Sequence, residues 1–226
     1  MIDLNRLLKN EHFKLVAAIV VIAGLMLGFF VGLSVALGTA IPLRVVESGS
    51  MCIEPSGCNG WSHPFDHTLH VGDIIIIQAV NPQDLNVNYP NSDIIVYQRP
   101  TNPADTPIVH RIVASYKENG TLYFQTKGDG NGKHWPAPVD STEYDSHTIW
   151  VSGEGVPQDL ILGRVVMRIP YLGWITLLMR GTSWALPLVI VLIVLLIIIE
   201  FVFPLIKAKN KKKPIEQQNF MAHVEP

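Results

Sequence analysis

Hydrophobic and polar positions divide this chain into two long apolar blocks and a middle built of short β-like runs. Residues 15–43 contain no charged side chain, and neither do residues 181–199. A helix crosses a bilayer core with about 20 apolar residues, and both blocks reach about that length. Between them lie short runs rich in Ile and Val, separated by turn residues: 73–80 (DIIIIQAV), 93–98 (DIIVYQ), 108–116 (IVHRIVASY), 121–125 (TLYFQ) and 160–169 (LILGRVVMRI). Such runs read as strands. Asn119-Gly120, between the third and fourth, is a strong two-residue hairpin signal. The pattern predicts a mainly β domain flanked by two transmembrane helices, the first over roughly 15–40 and stopped by Pro42.

Composition agrees with an anchored protein. The 226 residues are 48% hydrophobic and 16% charged, too apolar for an ordinary small soluble domain. A cleaved secretory signal has an apolar core of roughly 7–15 residues, and the first block is about twice that. Net charge is −2, which carries no nucleic-acid signature. Arg6, Lys9 and Lys14 precede the first block, and Lys207, Lys209, Lys211, Lys212 and Lys213 follow the second. Positive flanks stay cytoplasmic. The expected topology is a two-pass protein of the cell membrane with both termini inside. Its parts are a cytoplasmic start (1–14), a first span (15–41), an extracytoplasmic β domain (42–180), a second span (181–206) and a basic cytoplasmic tail (207–226). Residues 171–179, YLGWITLLM, are apolar with two interfacial aromatics and are expected to meet the outer membrane lipid.

Chemistry concentrates at the start of the middle segment. Ser-Gly-Ser-Met puts the hydroxyl of Ser50 about ten residues beyond the expected membrane exit near Ala40. A serine is a weak nucleophile without a neighbouring base, and alone this stretch is a turn. His110 stands inside a β-run, where its direction is fixed, although a cross-strand polar residue is the simpler reading of it. Asp129, in TKGDGN, is free to orient an imidazole or to cap an Asx turn. Arg111 and Lys127 read as ion-pairing or backbone-supporting groups. Cys52, Cys58, His63, His67, His70 and Asp66 include zinc-ligand types, but Pro64 interrupts the helix that would align two of the histidines. No metal or other cofactor is expected. Cys52 and Cys58 are open to a disulfide or to two free thiols.

The order SGSM, GDIIII, VHRIV and TKGDGN, followed by LILGRVVMRIPYLG, resembles a type I signal peptidase. Histidine at 110, where bacterial members carry a lysine base, resembles the archaeal and endoplasmic-reticulum branch. The resemblance implies a coiled β-sheet and a membrane-bound serine endopeptidase that removes signal peptides from secreted preproteins. It implies Ser50 as nucleophile, His110 as base, an aspartate to orient it, and Ser48 with the Ser50 amide as oxyanion donors. Its expected partners are signal-peptide-bearing preproteins, membrane lipid and the secretion machinery. Two departures stand out. The family's S-M-x-P is interrupted by Cys52 and Ile53 ahead of Glu54-Pro55. Its second aspartate, about six residues beyond the first, is replaced by Trp135. Asp129 and Asp140 are therefore both carried as the orienting carboxylate, with Asp145 behind them. A membrane-anchored peptide-binding or assembly module with a vestigial site is the alternative reading.

Overall fold

In the computed structural model, residues 11–53, 68–99, 106–145 and 155–181 are described, together with 187, 188, 191 and 195. The chain divides into two compact units, Met1–Trp174 and Ile175–Pro226. The basic tail and most of the second apolar block lie outside the described residues, as do residues 54–67.

The first unit opens with helix α1, Glu11–Leu37. Within it Phe13–Leu37 is long and apolar enough to cross a membrane, and none of its most apolar window is buried against protein. A helix apolar on all sides has no aqueous face to offer. It ends at Leu37, before the expected Ala40, because Gly38 adopts φ +66. The Gly38 amide then donates to Val35 O at 3.3 Å and the Thr39 amide to Ser34 O at 3.2 Å. This crossed pair is the Schellman closure, which only glycine enters at little cost. Pro42 comes too late to be the stop.

Among the described residues, seven strands form one sheet in the order β1-β2-β7-β3-β4-β5-β6. They are β1 Leu43–Val45, β2 Ile74–Gln78, β3 Ile94–Tyr97, β4 Ile108–Glu118, β5 Thr121–Lys127, β6 Val156–Pro157 and β7 Ile161–Ile169. Every neighbouring pair is antiparallel. All five expected strands are present within two residues or so of their ends. The short edge strands β1 and β6 are additions, too brief to leave a periodic signature. Asn119 (φ 48) and Gly120 (φ 86) make the β4–β5 turn, two positive φ values in succession as a twisted hairpin requires.

Alternation along β3 explains why the sheet has two cores. Ile95 and Tyr97 join Leu85, Ile112, Phe124 and Val156 in one cluster. Val96, between them, points the other way into a cluster with Val46, Met51, Leu69, Ile75 and Ile77. A strand buried on both faces reads as an unbroken apolar run rather than as an alternating one. Met51, fully buried, anchors the segment after Ser50 in this second core.

Helix α2, Trp174–Gly181, takes in the last six residues of the apolar stretch 171–179 and carries exposed Ile175, Leu178 and Met179. Phe124 has no exposed surface. Phe124→Ala is expected to lower unfolding free energy by about 3–5 kcal/mol, read by chemical denaturation of the detergent-solubilised chain.

Candidate active site

The segment that brings Ser50 forward is pinned on both sides. Before it, the Val46 amide donates to Asp73 O and the Gly72 amide to Val46 O, each at 2.9 Å. After it, Gly49–Met51 forms a single 3-10 turn, closed by the Cys52 amide on Gly49 O at 3.0 Å. The apolar Met51 side chain drives this turn inward, so the neighbouring Ser50 hydroxyl is left facing a cleft. Ser48 Oγ lies 3.4 Å from Ser50 Oγ.

Strand β4 delivers His110 to the same place. Paired with Ile95 on β3, the ring is almost wholly buried, and its Nε2 lies 2.9 Å from Ser50 Oγ. Its other nitrogen, Nδ1, meets Asp145 Oδ2 at 2.6 Å. Asp145 is also buried, and its amide donates to Thr126 O at 2.9 Å, fixing it beside the end of β5. Its Oδ2 accepts the Thr126 hydroxyl at 2.6 Å and the Tyr97 hydroxyl at 3.4 Å. A carboxylate held by these donors accepts a hydrogen bond from Nδ1–H and so keeps the proton on that nitrogen, which leaves the Nε2 lone pair for the Ser50 hydroxyl to donate to. This arrangement is able to withdraw a proton from Ser50 and store it as imidazolium.

The structure brings Ser48, Ser50 and His110 together as expected from the sequence, but neither Asp129 nor Asp140 joins His110. Asp129 is engaged by Arg111, whose Nε and Nη2 each donate at 2.8 Å to one carboxylate oxygen. Burial pushes the Asp129 carboxyl above the usual carboxylate range, while the two Arg111 bonds and charge pull it back. The Arg111 guanidinium also donates to Ser92 O at 2.9 Å and lies over the Trp135 ring. Asp140 is exposed and caps the 3-10 turn Ser141–Glu143, accepting the Thr142 amide at 2.9 Å. These Thr142 bonds hold its carboxyl below the usual range. Asp145, which sequence spacing ranked behind both, stands where an orienting carboxylate is needed. Residues between 131 and 145 fold back over the β5 end, so chain distance from Asp129 says little about distance from His110. Thr126 and Tyr97 were not anticipated; the threonine directly ahead of KGDG was the available signal.

Cys52 is disulfide-bonded and buried, which removes it from the set of metal-ligand types. His70 Nδ1 lies 2.8 Å from Arg168 Nη1, so a guanidinium occupies one of its two ring nitrogens, and no group of three or more metal-ligand side chains is found among the described residues. Cys58, His63, Asp66 and His67 lie outside the described residues.

Ser50, Ser48 and His110 line a cleft of about 310 Å³. Its walls are the segment through Val45, Val46 and Glu47 on one side, and Pro107, Ile108 and Val109 on the other. Among the described residues β1 ends the sheet, so one of its backbone edges pairs with no described strand. Removing one partner of the buried Arg111–Asp129 pair strands the other charge. Arg111→Ala is expected to cost about 3–5 kcal/mol of stability, against little change for exposed Asp140→Ala, measured side by side by denaturant titration.

No family model matches this chain. It is 28% identical over 180 residues to the signal peptidase complex catalytic subunit SEC11C of Homo sapiens, covering 79% of this chain and 78% of that one. The SEC11 subunit of Metarhizium acridum is 29% identical over 171 residues, covering 75% and 81%. That of Verticillium alfalfae is 28% identical over 159 residues, covering 68% and 72%.

Proposed function

We infer that this chain, a homologue of the SEC11 catalytic subunits and thus similar to type I signal peptidases of the endoplasmic-reticulum branch, is a membrane-bound serine endopeptidase. Its substrates are preproteins carrying signal peptides. The observation that carries this reading is the continuous line from Ser50 Oγ through His110 to Asp145, at 2.9 Å and 2.6 Å, opening on a cleft.

In this reading, an extended substrate segment adds along the outer edge of β1 and lies in the cleft, its main chain bonded as a further strand. The apolar walls formed by Val45, Val46, Ile108 and Val109 favour apolar side chains before the cut, and the resemblance to signal peptidases implies small ones at the first and third positions. His110 Nε2 takes the Ser50 proton as Oγ attacks the scissile carbonyl. Asp145 keeps the ring in the tautomer that accepts at Nε2 and offsets the charge the ring gains. The oxyanion is met by the Ser50 amide and the Ser48 hydroxyl. His110 then passes its proton to the leaving amine, and the C–N bond breaks to leave an ester on Ser50. Water attacks that ester, again with His110 as base, and releases the signal peptide with a free carboxylate.

The anchoring follows from the same segments. α1 spans the membrane with the basic start inside, residues 42–180 form the catalytic part outside, and residues 181–206 return the chain to a basic cytoplasmic tail. The cleft then opens near the depth at which a signal peptide's apolar core ends. α2 rests its exposed Ile175 and Leu178 in the lipid surface. Further subunits of a processing complex and the secretion machinery are the expected protein partners.

Ser50→Ala and His110→Ala should each abolish cleavage of a labelled preprotein in detergent, with bound but intact substrate instead pointing to a peptide-binding module. Asp145→Asn should lower kcat by about 10⁴-fold, as loss of the orienting carboxylate does elsewhere, whereas Asp140→Asn should leave kcat unchanged. A wild-type rate for Asp145→Asn would remove Asp145 from the mechanism. Ser48→Ala, deleting one oxyanion donor, should reduce kcat by about 10²–10³-fold, read from initial rates at saturating substrate.

A further inference from the structure

One buried cation near the site has no part in the proton transfers above. Lys127, at the end of β5, is 2% exposed, and burial lowers its ammonium from the usual lysine range, against the pull of Glu143, Asp129 and Asp145. Burying a charge in a protein is expensive, and an apolar side chain of similar volume often packs there at less cost. What the ammonium gains is two backbone carbonyls. Its Nζ donates to Lys133 O at 2.7 Å and to Gly128 O at 3.3 Å. These two bonds join both ends of the turn Gly128–Lys133.

That turn is the surface on which the nucleophile segment rests. The Gly130 amide donates to Ser50 O at 2.9 Å. A Cβ on Gly128 would stand 2.4 Å from Ser50 O and 3.0 Å from His110 Nε2, and one on Gly130 would stand 2.0 Å from Cys52 O. Backbone therefore meets backbone with no intervening side chain. The turn is held a second time by Arg111 on Asp129, and by the Trp135 amide on Asp129 O at 2.9 Å. Arg111 and Lys127 are themselves cross-strand partners on β4 and β5. The strand pair that carries His110 thus also carries the cations that shape the turn under Ser50.

We propose that Lys127 is a positioning residue for the nucleophile: its ammonium closes the Gly128–Lys133 turn, and through the Gly130 amide that turn sets Ser50 Oγ within reach of His110. This rests on the reading of Ser50 as nucleophile. Lys127 touches neither substrate nor the reacting atoms, so losing it should slow the chemical step and leave substrate binding alone. Displacing a reacting group by about 1 Å costs up to about 10²-fold.

The test compares wild type, Lys127→Met, Gly130→Ala and Ser50→Ala as full chains in detergent, with a labelled preprotein as substrate. Lys127→Met removes the clasp, and Gly130→Ala keeps the cation but forces the turn off Cys52. Both are expected to lose roughly 10–100-fold in kcat with KM unchanged. A folded Lys127→Met with wild-type kcat, or with its loss entirely in KM, overturns the proposal. If Lys127→Met does not fold, Lys127→Gln, which retains a shorter donor, takes its place and must show the same kcat-only loss. Wild-type kcat in Gly130→Ala also overturns it. Undiminished cleavage by Ser50→Ala would instead refute the reading of the site on which the proposal stands; an inactive Ser50→Ala beside an unimpaired Lys127→Met refutes the clasp alone.

Discussion

The 2.9 Å approach of His110 Nε2 to Ser50 Oγ joins residues 60 apart in the chain, and much of the first unit serves to maintain it. A hydroxyl gains nothing from an imidazole that is free to turn away. Here the serine comes from an irregular turn and the histidine from the middle of a sheet, so two differently built segments must be kept in register. The fold achieves this by burying what lies beside each reactive group. Met51 sinks into the core behind Ser50, and Ile112, two residues beyond His110, is fully buried in the opposite cluster.

The charged groups around the site follow a division of labour that their residue types do not disclose. Asp145 faces the imidazole and takes up its polarity. Asp129 faces away from it, into a bidentate pair with Arg111, and is spent on the shape of the turn. Lys127 and Arg111, both buried, place positive charge beneath the Ser50 segment. Buried ion pairs add little net stability in general. Their value here lies in direction: a guanidinium fork and an ammonium shared by two carbonyls each specify one backbone path.

Much of this was legible in the sequence, and the failures have physical causes. The central strands were readable because Ile and Val runs bounded by turn residues have few other uses. Asn119-Gly120 declared its turn because few other residue pairs accept two positive φ values. The closing of α1 by Gly38 was missed because proline is a louder signal than a glycine whose role depends on φ. Ser48, Ser50 and His110 were not legible one by one, since alone they read as a turn and a cross-strand polar residue; the order of SGSM, GDIIII, VHRIV and TKGDGN, with its resemblance to a type I signal peptidase, singled them out. The carboxylate was not singled out in this way. Asp145 reaches His110 only after the chain from Asn131 has folded back along β5, and no local pattern encodes that return. Asp129 looked like the partner because Gly-Asp-Gly is so evidently a built turn, but what it builds is the support for Ser50.

In the proposed mechanism the substrate's acyl group passes through an ester on Ser50. The most direct measurement is an acid quench of the detergent-solubilised protein during turnover of a labelled preprotein, with mass-spectrometric mapping of the modified peptide. The proposed mechanism predicts an acyl adduct confined to Ser50, present in the wild-type chain and absent from His110→Ala. Product released with no adduct on Ser50 in an otherwise trapped reaction, or an adduct carried by a different side chain, would contradict it.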